Sequence, residues 1–62
     1  MIKPGDMVFH EMDSKADIMK LLVIEDVGDG YFKCKYLYYK ELHIEPYRKF
    51  HASELVIKEG VN

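Results

Sequence analysis

The stretch YFKCKYLYY, residues 31–39, decides the fold. Successive side chains of a strand point to opposite faces, so the alternation in this stretch predicts a strand over Tyr31–Tyr39. The face that carries its two lysines is predicted to meet solvent. The opposite face, with Phe32, Cys34 and Tyr36, is therefore predicted to enter the core.

A tight hairpin is predicted directly before this strand. The tripeptide GDG at residues 28–30 supplies the positive φ values that a short hairpin loop requires. The hairpin implies a preceding strand, Ile18–Asp26, with Leu22 and Ile24 among the core residues. Apolar residues in this segment also recur at helical spacing, so a helix is the competing interpretation, and the hairpin favours the strand.

The first part of the chain predicts a turn, a strand and a loop. Proline and glycine at positions 4 and 5 suit a type II turn that leads into a strand, Asp6–His10, with Val8 packing. The polar segment Glu11–Asp17 is predicted to be a surface loop. A single helical turn starting near Asp13 or Ser14 is the alternative, because both residue types cap helices.

The second half of the chain is less regular. Leu42 and Ile44 alternate with polar residues, so Lys40–Pro46 is predicted to extend the long strand or to form a short edge piece, which Pro46 ends. Residues 59–62 are predicted to fray. Three further elements are predicted: a strand at Tyr47–His51 with Phe50 in the core, a 3₁₀ turn at Ala52–Leu55, and a last strand at Val56–Lys58.

Five short strands leave vulnerable edges unless the sheet curls on itself. The pattern therefore predicts an all-β fold, a small and partly open barrel with a 3₁₀ turn before the last strand. A chain of 62 residues is too short for two ordinary domains, so residues 1–62 are predicted to form a single one.

Composition excludes several classes of protein. At 48% hydrophobic the chain is too apolar to be disordered, and its longest apolar run, Leu21–Ile24, is too short to cross a membrane. Nine basic and eleven acidic residues give a net charge of −2, which argues against nonspecific nucleic-acid binding as the main task. No secretory leader is visible and a single cysteine forms no internal disulfide, so a cytoplasmic location is predicted.

Four motifs occur in a characteristic order: Lys-x-Gly-Asp-x-Val at positions 3–8, LVIEDVG at 22–28, YFKCKYL at 31–37, and Phe50 followed by Leu55. In this order the chain resembles the small bacterial YodC-like proteins. The resemblance implies an SH3-like barrel and no activity. The chain departs from that family where Glu11–Asp17 lacks a Gly-Gly-Pro stretch, where Tyr36 replaces the usual Trp, and at Lys40–Pro46, which has no clear counterpart.

No catalytic, cofactor-binding or metal-ligating residue is predicted. Cys34 lies on the inward face, where a thiol is a small apolar filler. The three histidines at positions 10, 43 and 51 lack metal-ligand spacing, although His10 and His51 lie at strand ends that a barrel can bring together. The acidic residues at 25, 26 and 29 are explained by turn geometry. No constellation supports an enzyme.

The outward face of the long strand is the main candidate for function. It interleaves aromatic and basic side chains: Tyr31, Lys33, Lys35, Leu37 and Tyr39. A small barrel has few interior positions, so Leu42, Ile44 and Tyr47 are surplus to the core and are candidates for an oligomer contact.

The sequence therefore predicts a protein-interaction or assembly module, with a protein partner or a second copy of the chain as its ligand. No cofactor and no membrane contact is predicted. The alternative is a nucleic-acid-binding barrel that uses the same face, joined by Arg48 and Lys49, to stack bases and pair with phosphates.

Overall fold

The computed structural model describes residues 1–57, so the predictions for Lys58 and for fraying at 59–62 lie outside the described residues. The strands are β1 (Met7–His10), β2 (Leu21–Gly28), β3 (Tyr31–Tyr36), β4 (Tyr47–His51) and β5 (Leu55–Ile57). Three 3₁₀ turns, numbered first to third along the chain, span Glu11–Asp13, Asp17–Met19 and Ala52–Glu54, and one short helix, α1, spans Tyr39–Leu42. Within this range no helix has the length and apolar character needed to span a membrane.

The strands form one antiparallel sheet in the order β4-β3-β2-β1-β5. The predicted all-β class, the five strands and the 3₁₀ turn before the last strand are confirmed. Two strands separate β4 from β1 in the sheet, yet the rings of Phe50 on β4 and His10 on β1 lie 5.4 Å apart. The sheet is therefore curled around its inner face, as a small barrel requires.

The predicted tight hairpin joins β2 and β3, and its loop has two residues. Asp29 and Gly30 have φ values of 57° and 81°, as a type I′ turn requires at both loop positions. The side chain of Asp26 accepts the backbone N–H of Gly28 at 2.9 Å. Two of the clustered acidic residues thus have local roles in the turn, as the sequence predicted.

Two glycines of this hairpin are expected to respond differently to alanine. Gly28 and Gly30 both have positive φ, 95° and 81°, which costs an alanine about 1–2 kcal/mol. A Cβ at Gly30 would lie 2.7 Å from Nε2 of His51, whereas a Cβ at Gly28 would meet no atom within 4 Å. We expect Gly30→Ala to lower the free energy of unfolding by roughly 1–3 kcal/mol more than Gly28→Ala, measured by urea titration. Equal losses would show that the His51 ring moves aside freely.

The inward face of β2 differs from the prediction by one residue. Leu21 and Val23 are buried, whereas Leu22 is half-buried and Ile24 is 38% exposed, so the prediction that Leu22 and Ile24 enter the core is wrong. Leu21 pairs with Tyr36, whose side chain is also buried, and this pairing sets the face of the strand. The core members are Val8, Phe9, Leu21, Val23, Phe32, Cys34, Tyr36, Phe50 and Leu55.

β3 is shorter than its sequence pattern. The prediction of a strand to Tyr39 is wrong, because β3 ends at Tyr36 and α1 begins at Tyr39. The predicted strand or edge piece in Lys40–Pro46 is wrong for the same reason. Leu42 donates its N–H to Tyr38 at 3.0 Å and packs against the core, so helical hydrogen bonds replace the ladder here.

The segment between β1 and β2 contains two 3₁₀ turns where an irregular loop was predicted. The first turn begins at Glu11, earlier than the helical turn considered near Asp13, because the ring of His10 accepts the N–H of Met12 at 3.1 Å. Ile18 lies in the second turn, so β2 begins at Leu21 and the prediction that it begins at Ile18 is wrong.

Candidate binding surface

One outer surface of the sheet combines lysines with tyrosine rings. We call it the cationic-aromatic face. In the register of β3 against β4, Lys33 lies opposite Lys49 and Lys35 lies opposite Tyr47. Its members are Tyr31, Lys33 and Lys35 of β3, Tyr47 and Lys49 of β4, and Tyr39 of α1.

Each tyrosine of this face has an ammonium group over its ring. The Nζ atom of Lys33 lies 4.7 Å from the ring centroid of Tyr47, and that of Lys35 lies 5.8 Å from the same centroid. Lys35 is also 5.5 Å from the Tyr39 ring. The Nζ atom of Lys49 lies 5.5 Å from the ring centroid of Tyr31. These cation–π contacts stabilise an array that like charges on facing strand positions would otherwise destabilise.

The face is more positive than the chain as a whole. Within residues 1–57, the ion pairs join Lys3 to Asp6 and His10 to Glu54, and none involves Lys33, Lys35 or Lys49. Glu25 faces Lys33 in the register of β2 against β3, without an ion pair. Three ammonium groups thus remain free to donate hydrogen bonds to an anionic ligand, although the chain carries a net charge of −2.

The structure brings together part of the predicted interaction face. Tyr31, Lys33 and Lys35 lie on β3, and Tyr31 is 39% exposed. Leu37 and Tyr39 lie beyond the strand. Tyr39 rejoins the face through its contact with Lys35, whereas Leu37 is exposed without such a contact.

The three candidates for an oligomer contact lie in different surroundings. Leu42 is half-buried against the core, and Ile44 is 41% exposed after α1. Tyr47 is 50% exposed and belongs to the cationic-aromatic face, beneath two lysines. Its position there, with Lys49, depends on the pairing of β4 with β3, and no local pattern in the sequence signals that pairing.

Two histidines cap 3₁₀ turns. Nδ1 of His51 accepts the N–H of Ser53 at 3.2 Å, and the carboxylate of Glu54 accepts the N–H of His51 at 3.2 Å. The other carboxylate oxygen of Glu54 lies 3.2 Å from Nε2 of His10, so Glu54 joins the end of β1 to the end of β4. The described part of the chain contains no group of three His, Cys, Asp or Glu side chains that could hold a metal ion.

Cys34 is a core residue, as its position in the sequence predicted. Its side chain is fully buried in the core, and its Sγ atom is 3.8 Å from the carbonyl oxygen of Phe32, to which it donates. Burial disfavours the thiolate and raises the pKa of Cys34 to about 11. The arrangement is that of a packing group and not of an activated nucleophile.

No family model, no curated protein and no solved structure matches the chain. The resemblance to the YodC-like proteins therefore stays a prediction.

Proposed function

We propose that the chain is a non-enzymatic protein-interaction module that binds an acidic segment of a partner protein on its cationic-aromatic face. The observation that carries this proposal is the set of three lysines on β3 and β4 that have tyrosine neighbours and form no ion pair within residues 1–57. Carboxylates complement such a surface in charge, and tyrosine is enriched at protein interfaces. The cytoplasmic location predicted from the sequence belongs to the same proposal.

An acidic protein segment suits this face better than a single-stranded nucleic acid does. Bases bind by stacking on free aromatic faces, but ammonium groups already lie over the rings of Tyr31, Tyr39 and Tyr47. Carboxylates instead bind the ammonium groups themselves and leave the cation–π contacts in place. The net charge of −2 also gives a polyanion of nucleic-acid length no long-range attraction.

A second copy of the chain is a poor ligand for this face. Two copies joined through it would oppose lysines to lysines, and like charges across an interface cost several kcal/mol. The partner expected here is therefore a different protein.

Selection from a random peptide library, run beside selection from a random single-stranded RNA pool, tests the proposal. We expect the peptides that bind to be enriched in Asp and Glu, and their binding to weaken with salt. Lys33→Glu should weaken it about tenfold or more, because one charge-assisted hydrogen bond is lost and a repulsive charge is added. Lys15→Glu is the matched control, since it changes the net charge equally at an exposed position outside the face.

Two outcomes would overturn the proposal. One is enrichment of RNA without enrichment of acidic peptides, which would assign the face to nucleic acid. The other is an equal effect of Lys33→Glu and Lys15→Glu on peptide binding, which would mean that the face is not the binding surface.

A further inference from the structure

β4 lies at the edge of the sheet, and its hydrogen bonds reveal which of its backbone groups are free. Tyr36 donates its N–H to the carbonyl of Pro46 at 2.7 Å, just before β4. Just after β4, Ala52 donates to the carbonyl of Gly30 at 2.8 Å. In an antiparallel pair, hydrogen-bonded positions alternate with positions that are not bonded to the neighbour. The even-numbered residues of β4 are therefore the ones whose backbone groups are hydrogen-bonded to β3.

Arg48 and Phe50 therefore direct their backbone N–H and C=O groups toward β3. The odd-numbered residues direct theirs away from the sheet: Tyr47, Lys49 and His51. The N–H of His51 is taken by a carboxylate of the third 3₁₀ turn. In the part of the chain that the structure describes, no hydrogen bond from outside the sheet reaches the N–H of Tyr47 or Lys49. Tyr47 and Lys49 thus offer two N–H donors and two carbonyl acceptors along one edge.

A pocket of about 240 Å³ lies beside this edge, between β4 and the first and third 3₁₀ turns. Arg48 and Lys49 contribute to its β4 wall, and Arg48 lies 5.5 Å from the centroid of the Phe50 ring without an ion pair within residues 1–57. Asp13 and Glu54, from the first and third 3₁₀ turns, also line the pocket. Their negative charges confine a ligand carboxylate to the β4 side of the pocket.

We propose that the acidic segment binds in extended form as an added strand on the free edge of β4. The inference rests on the proposed function and specifies its binding mode. The segment pairs its backbone with Tyr47 and Lys49, and its alternate side chains reach opposite faces of the sheet. Carboxylates on one side meet the lysines of the cationic-aromatic face, and carboxylates on the other side meet Arg48 at the pocket.

The charge of β4 favours an acidic strand over a second copy of the chain. Two β4 strands paired with each other would bring Arg48 and Lys49 close to their own copies, and charged side chains on an edge strand are a means of preventing such pairing. The same charges attract a strand of opposite sign. The free edge is therefore selective for its ligand.

Backbone amide exchange measured by NMR on the isotope-labelled chain tests this binding mode. The probe is a capped peptide with the repeat Glu-Glu-Thr-Thr, which as an extended strand presents carboxylates on both faces. We expect the amides of Arg48 and Phe50 to be protected before the peptide is added, and those of Tyr47 and Lys49 to gain at least about tenfold protection when it binds. The same peptide N-methylated at every residue keeps its charge and loses its donors, so it should bind about tenfold more weakly.

The outcomes separate this inference from the proposed function. If both peptides bind equally and Tyr47 and Lys49 gain no protection, strand addition is overturned while binding of an acidic segment stands. If neither peptide binds, both are overturned.

Discussion

Replacement of Leu21 by alanine is expected to lower the free energy of unfolding by about 2–5 kcal/mol. Leu21 is fully buried and pairs with Val8 on one side and Tyr36 on the other, so its loss leaves a cavity at the centre of the sheet. A domain of this size has a total stability of only about 3–9 kcal/mol. The loss is therefore expected to be a large share of the total stability.

Ile24→Ala is the control for this experiment. Ile24 lies on the same strand but is 38% exposed, so we expect it to cost less than about 1 kcal/mol. Chemical denaturation followed by circular dichroism measures both variants. A larger loss for Ile24→Ala than for Leu21→Ala would mean that the opposite face of β2 enters the core.

The thiol of Cys34 is expected to react with iodoacetamide at least about a hundredfold more slowly in the folded chain than in the denatured chain at neutral pH. Burial raises its pKa from 9.0 to about 11, and each unit reduces the reactive thiolate about tenfold. Limited access to a buried side chain adds to this effect. Mass spectrometry measures the rate of alkylation, and equal rates in the two states would contradict the burial of Cys34.

The same shift makes stability depend on pH. The folded state holds the thiol proton more tightly than the unfolded state, so its contribution is fully present below about pH 9 and is lost as the pH rises from about 9 to about 11. Cys34→Ala removes the titration of this thiol and leaves those of the other ionisable groups in place. The stability of the original chain should therefore fall more steeply than that of Cys34→Ala across this range.

The sequence predicted the core face of β3 but not that of β2. In β3 the lysines alternate with Phe32, Cys34 and Tyr36, so the pattern itself distinguishes the two faces. In β2 the apolar run Leu21–Ile24 has no alternation, and the pairing with β1 and β3 decides which residues are buried. Apolar and polar residues continue to alternate after β3, and this alternation predicted more strand. The packing of Leu42 against the core and the helical hydrogen bonds of α1 outweigh that local preference.

The candidate site was predictable from the sequence only in part. Tyr31, Lys33 and Lys35 follow from the alternation of one strand. Tyr47 and Lys49 join them only through the pairing of two strands joined by α1, which no local residue pattern specifies. The free edge of β4 likewise depends on the order of strands in the sheet and on the phase of its hydrogen bonds.

The pairing of β1 with β5 also has a consequence for synthesis of the protein on the ribosome. Val8 pairs with Ile57 and His10 with Leu55, so the second neighbour of β1 comes from near the other end of the described chain. The hairpin of β2 and β3 can form as soon as it emerges, because its loop has two residues. The buried side of β1 stays incomplete until Ile57 has left the exit tunnel. Nascent chains are therefore exposed to aggregation until that point, and a pause in translation before β5 would prolong the exposure.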